Sequence, residues 1–153
     1  MNKLYRFSPI ENEADIRKVW SYLVLELNKL SNEIFRHSLP ITTLKIFPHY
    51  PKEYEFLYKL LSKMGPKSTY SSKTSLYIER EEKINDYNIK YFGIRIVDPY
   101  RLQVGCGDYE IENFAAIKKL HLNKSSYVRS FRENMLEVWH PDYDVLGYVI
   151  PAN

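Results

Sequence analysis

Four histidines, one cysteine and a few charges placed within strand-like segments are the residues of this chain with the chemistry to act on a ligand. His37, His49, His121 and His140 show no helical i, i+4 pairing and no His-Glu-x-x-His signature, so a metal site would need long-range convergence. His37 and His121 each follow a helical pattern, where an imidazolium offsets the negative end of the helix dipole. His49 sits in the turn Phe47-Pro48-His49-Tyr50-Pro51. His140 lies beside Pro141, Asp142 and Asp144, where a carboxylate would orient its ring or where a solvated turn accounts for it equally well. Cys106, between Gly105 and Gly107, has a backbone flexible enough to present a thiol. Alternation, however, aligns it with Leu102 and Val104 on an apolar face, where a free cysteine acts as a small hydrophobe. The same glycines lack the spacing of a phosphate loop.

A more informative set lies on the opposite face of the same strand-like segments: Tyr91, Gly93 and Arg95, then Gln103, Gly105 and Tyr109, then Met135, Glu137 and Trp139. A charge in mid-strand is costly unless it is paired or touches a ligand. Arg95 and Glu137 therefore either pair with each other, face water on an open side of a sheet, or line a pocket. In the pocket reading Arg95 holds an anion, and Tyr91 and Gln103 donate hydrogen bonds. Glu137 is the candidate base, and Trp139 and Tyr148 form aromatic walls for a planar ligand. No metal and no cofactor is expected.

These residues must be held by elements that the apolar pattern outlines. Leu4, Tyr5 and Phe7 predict a short strand ended by Ser8-Pro9. Asn12 is placed to cap a long helix over about Glu13 to Arg36, with Ile16, Val19, Trp20, Leu23, Leu27, Leu30 and Ile34 on one face. A strand over about Thr42 to Phe47 follows, then a helix after Pro51 that Gly65-Pro66 stops. Ragged strands are predicted near Ser68 to Ser71 and Thr74 to Arg80, and the charged run Glu79 to Asn88 reads as an exposed loop. Further strands are predicted over Lys90 to Val97 and Leu102 to Ile111, a short helix over Glu112 to Leu122, and strands over Tyr127 to Phe131, Asn134 to Trp139 and Val145 to Ile150.

The segment Phe92 to Tyr100 shares its grammar with Met135 to Tyr143: a strand, then a proline turn with an Asp and a Tyr, then another strand. From Thr42 onward the elements run strand, helix, strand, strand, strand, twice. The expected fold is α+β, a single domain over 1–153. Residues 1–40 form an added strand and helix, 41–100 a first repeat and 101–153 a second, in a curved, mostly antiparallel sheet. This doubled β-α-β-β-β unit resembles the glyoxalase and bleomycin-resistance superfamily, the vicinal oxygen chelate proteins. The likeness is carried by His140-Pro141-Asp142-Tyr143-Asp144, before the last strand, and by Asp108-Tyr109-Glu110-Ile111, leading into a helix. It implies eight strands curling round a shared cleft. The positions that would carry that family's metal ligands, around Leu44, Ile94, Val104 and Tyr148, hold none, so a metal-free cleft is the expectation.

The 153 residues, 44% hydrophobic and 27% charged, exclude disordered, collagen-like and disulfide-scaffold classes. One cysteine predicts a cytoplasmic protein, and the sequence contains neither a secretory leader pattern nor a membrane-spanning run. A net charge of +3 is weak for a nucleic-acid binder, although Lys and Arg flank aromatics in Tyr87 to Arg95 and Tyr127 to Arg132. Fourteen tyrosines suit an interface. The expected function is binding of a small anionic or aromatic molecule, the enzyme question being left open. A protein-interaction or assembly module, including a homo-oligomer, is the alternative, and single-stranded nucleic-acid binding ranks third.

Overall fold

Asn12 begins the longest helix by accepting the amide of Asp15 on its side-chain oxygen at 2.8 Å, and α1 then runs over Glu13–Phe35. It ends where Arg36 turns into the left-handed region and returns its N–H to Asn32. A computed structural model describes residues 4–152 of the chain. After α1 come β1 (Ile41–Ile46), α2 (Pro51–Met64), β2 (Ser75–Ile84), β3 (Tyr87–Arg95) and β4 (Gly105–Ile111). Then follow α3 (Phe114–His121), β5 (Val128–Ser130), β6 (Leu136–Val138) and β7 (Val145–Pro151). Among the described residues no helix is long and apolar enough to cross a membrane.

The architecture is α+β: seven strands form one open sheet in the order β2-β3-β1-β4-β7-β6-β5. Two of its pairings, β1 with β3 and β4 with β7, are parallel, and the rest are antiparallel, so the sheet is mixed. Parallel neighbours require a crossover, and α2 and α3 lie in the two connections that supply it.

Several expectations are corrected. Leu4 to Phe7 form no strand: Leu4 is exposed, and Tyr5 stacks on His49 with ring centroids 3.8 Å apart. Among the described residues the sheet has seven strands rather than eight. Ser68 to Ser71 are a turn, with only Lys67 bridging to Ile78 at the sheet's outer edge. The charged run Glu79 to Asn88 is a hairpin, not a loop. Ile84 and Ile89 are buried on the helix face, where Glu82, paired in register with Ile89, reaches Arg17 of α1 and also binds Arg80. Asn85, at φ 52°, and Asp86 make the two-residue turn.

The core lies on one face of this sheet, where α1 packs against β1, β4 and β7, and α2 against β2 and β3. Close approach of α1 depends on glycine. A Cβ on Gly107 would fall 2.4 Å from a Leu27 methyl and 2.8 Å from the Thr43 carbonyl oxygen. One on Gly105 would fall 2.2 Å from the carbonyl oxygen of Lys45. Beside them Gly147 makes room for the ring of Tyr109, whose hydroxyl donates to the carbonyl of Leu27.

Gly107→Ala is therefore expected to cost about 1–3 kcal/mol in overpacking, and Leu27→Ala about 2–5 kcal/mol in lost burial. Because the new methyl would occupy part of the space that Leu27 vacates, the double variant should cost less than the sum. Denaturant midpoints for the four proteins of this cycle measure the coupling, and strict additivity would refute the contact.

Candidate functional site

With the helices on one face, the side chains of alternate residues are left on the other. Strand register aligns them into a row running across all seven strands: Glu79, Tyr91, Thr43, Asp108, Tyr148, Glu137 and Arg129. A second row contains Tyr77, Gly93, Lys45, Cys106 and Leu146. Arg95 lies beyond them on β3, opposite Ser75. Gly93 leaves space for Tyr77, since a Cβ there would sit 2.6 Å from the Tyr77 ring.

The sheet curls around this face. A cavity of about 540 Å³ is lined at once by Tyr70, Tyr77 and Tyr91 from the β2–β3 side and by Arg132, Asn134 and Met135 from the β5–β6 hairpin tip. Strands are spaced about 4.8 Å apart, so β2 and β6 would lie more than 20 Å apart if the sheet were flat. Thr43, Asp108 and Glu110 form the floor. A larger groove of about 660 Å³ between residues 9–11 and the start of α2 is apolar and carries no comparable polar set.

Burial pushes the Asp108 carboxyl from its ordinary 3.8 up to about 6, against the opposing pull of the Lys45 ammonium and a hydrogen bond with Thr43. Asp108 is only partly exposed to solvent, at the cavity floor. Burial likewise raises the Tyr77 and Tyr148 phenols, which remain protonated donors. The Lys45 ammonium lies 5.3 Å from the centre of the Tyr77 ring and donates to Ser75 Oγ at 3.3 Å.

Of the residues singled out from sequence, Tyr91, Glu137, Tyr148 and Arg95 are on the open face. Glu137 is almost fully buried. Its carboxylate accepts from Arg129 Nε at 2.6 Å and from the Tyr148 hydroxyl at 3.0 Å, so the mutual Arg95–Glu137 pair does not form. Gln103 lies in the loop before β4 rather than on a strand. Trp139, just past β6, is 37% exposed and packs edge-on against Tyr127, so it does not wall the cavity.

The β4 alternation is also reversed from expectation. Gly105, Gly107 and Tyr109 face the helices, and Cys106 faces the open side in a small cluster with Phe47, Leu146 and Tyr148. Helix packing wins because only the glycine face admits α1. Burial pushes the Cys106 thiol up to about 12, which leaves it protonated and a poor nucleophile.

The residues missed from sequence are Thr43, Lys45, Tyr77, Arg101, Asp108, Arg129 and Arg132. Lys45 alternates with Leu44 and Ile46 as Arg95 does with Ile94 and Ile96, so the reasoning applied to Arg95 would have found it.

The histidines serve structure. His49 Nε2 donates to the Arg101 carbonyl at 2.8 Å, and Nδ1 shares a hydrogen bond with Ser8 Oγ at 2.7 Å. Buried Glu53 accepts the amides of Ile10 and His49. The His140 ring accepts the Asp142 amide on Nδ1 and packs on Tyr127. Phe35 lies edge-on to His121, and His37 contacts the carbonyl of Phe35. Among the described residues no three His, Cys, Asp or Glu side chains form a group that could hold a metal ion.

No family model matches the chain, and a search of curated proteins finds no match. A solved structure described as the structural-genomics protein EC4020 superposes with a TM-score of 0.66 at 12% identity, over 98% of this chain and 93% of that one. This likeness is one of fold.

The raised Asp108 pKa carries a pH signature. In the interval from about 4 to about 6 the folded chain holds a proton that the unfolded chain has released, so this group's contribution to stability is lost as pH rises through the interval. Asp108→Asn is expected to be about 1–3 kcal/mol more stable than wild type at pH 8, with the difference vanishing near pH 4. Parallel unfolding curves at the two pH values check it, and an equal difference at both would refute it.

Proposed function

We propose that the protein binds a small molecule in the cleft on the open face of its sheet. The observation that carries this reading is the cavity of about 540 Å³ into which the β2–β3 side of the sheet and the β5–β6 hairpin tip project hydroxyls, charges and aromatic rings. A volume in this range suits a small organic ligand. Tyr77 and Tyr91 supply ring faces and phenolic donors, Thr43 and Asn134 neutral hydrogen-bonding groups, and Asp108 a carboxyl able to exchange a proton near neutrality.

The proposed architecture is a pair of β-α-β-β-β units of the glyoxalase and bleomycin-resistance kind. Support comes from the second half, where β4, α3, β5, β6 and β7 fold with the spatial order β4-β7-β6-β5. In the first half, β1, α2, β2 and β3 give the order β1-β3-β2, and Lys67 bridges to the outer side of β2 where a fourth strand would lie. The halves meet at the antiparallel β1–β4 pair. The assembly-module reading is favoured by one feature, the exposed Leu4, Tyr100 and Leu102. A dimer that Tyr100→Ser dissolves in sedimentation experiments would support it.

Thermal-shift screening against nucleotides, sugar phosphates, amino acids and aromatic acids tests the cleft. At least one compound is expected to raise the melting temperature of wild type. Met135→Trp, which fills the cavity from the hairpin tip, should keep the fold and lose that shift, and the more exposed Asn134→Trp serves if Met135→Trp misfolds. The proposal fails if no compound stabilises the wild type, or if the filled variants respond as wild type does.

A further inference from the structure

Beside this cavity the open face carries a concentration of positive charge. Lys45 is the cross-strand neighbour of Cys106, the Arg101 guanidinium lies over the ring of Phe47 that packs with Cys106, and Arg95 follows Ile94 where β3 pairs with the end of β1 that leads into Phe47. Among the described residues none of the three has a carboxylate within salt-bridge distance. The Nε atoms of Arg95 and Arg101 are buried and have no hydrogen-bond partner. A buried guanidinium N–H without an acceptor is costly.

Of the nearby acids, Asp108 also acts on Cys106 and feels Lys45 but makes no salt bridge with any of the three. Asp98 accepts the amide of Tyr100, and Asp144 binds Arg6 and the hydroxyl of Tyr22. The seat is also held in place. His49 fixes the Arg101 carbonyl, the Arg101 guanidinium lies 5.0 Å from the centre of the Phe47 ring, and Lys45 is tethered to Ser75. Phe47, Cys106 and Leu146 make an apolar floor between the charges.

We infer that Lys45, Arg95 and Arg101 form a seat for a dianionic oxygen-rich head group, a phosphate monoester or a pair of adjacent carboxylates, on a ligand whose apolar or aromatic body lies over Phe47 and Leu146. Two guanidinium forks and an ammonium match a dianion better than a single carboxylate, because each fork takes two oxygens of one planar or tetrahedral acid group. The inference rests on the cleft-binding reading and names the class of ligand.

The probes are phenyl phosphate, phthalate and neutral benzyl alcohol, with binding measured by calorimetry on the full chain in 0.15 M salt. Phenyl phosphate or phthalate should bind at least tenfold more tightly than benzyl alcohol, and whichever of the two binds more tightly identifies the head group. Arg95→Met and Lys45→Met should each weaken that binding at least tenfold. Exposed Lys119→Met, on α3, should leave it unchanged, which separates a built seat from general attraction to a positive protein. Melting curves establish that each variant is folded, and Arg95→Lys and Lys45→Arg take the place of either one that is not, with the same tenfold loss expected from the altered fork. The inference is overturned if neither acid binds, if benzyl alcohol binds as well as the acids, or if the Arg95 and Lys45 variants bind as wild type does. Acid binding that survives Met135→Trp but not Arg95→Met would leave the seat standing and remove the cavity reading. Neutral ligands blocked by Met135→Trp alone would do the reverse.

Discussion

The close seating of α1 on β1, β4 and β7 is the constraint from which the rest of the molecule follows. Three glycines, Gly105, Gly107 and Gly147, remove the side chains that would hold the helix away, and Leu23, Leu27 and Tyr109 take that space. Once this face is sealed, every strand crossing the seam must turn its alternate residues to the other side. Lys45, Cys106, Asp108 and Tyr148 are on the open face because their neighbours in sequence are under the helix. The candidate site is thus a consequence of how the core is packed.

The open face is divided electrostatically. Toward one end, Lys45 pairs in register with Cys106 and Arg101 lies over Phe47, beside the small apolar cluster that Cys106 and Phe47 form with Leu146. Toward the other, Asp108 and Glu110 form the cavity floor, with Arg132 projecting from the hairpin tip. Lys45 connects the two ends, since its charge is felt by both Cys106 and Asp108. Burial nonetheless dominates at both groups and keeps the thiol, and in part the carboxyl, in the neutral form. Glu137 escapes this cost because Arg129 and Tyr148 satisfy its oxygens, which suits a structural residue better than a base.

Much of the fold was legible in the residues themselves. The stripe from Ile16 to Leu30 and the Asn12 cap specified α1 within a residue of its observed ends, and Pro51 marked the start of α2. The charged hairpin is hard to read because its burial rests on only Ile84 and Ile89, on either side of the turn, while Glu81, Lys83 and Asp86 are exposed and Glu82 is paired with Arg17 and Arg80. The opening Leu4 to Phe7 has strand-like residues but no strand partner, and a strand exists only where another chain segment completes its ladder. Asking which polar residues are badly placed for a structural role picks out Tyr91, Arg95, Glu137 and Tyr148 on the open face, and of these Tyr91 lines the cavity. Trp139 and Gln103 were not on the cavity because alternation was extended past the ends of their strands.

What the sequence determined by itself was membership: which residues alternate together, as Leu44 and Ile46 against Thr43 and Lys45, or Phe92 and Ile94 against Tyr91 and Arg95. Local sterics dictate that pattern, so it can be read without a partner. The tertiary structure alone decided which side each set faces and which sets meet. In Gly105 to Tyr109 the two candidate faces have nearly equal apolarity, and the choice between them comes from whether a helix fits against the glycines, a contact made with residues about eighty positions away. Glu137 likewise meets Arg129 and Tyr148 rather than Arg95 because of strand order, and strand order is a property of the assembled sheet.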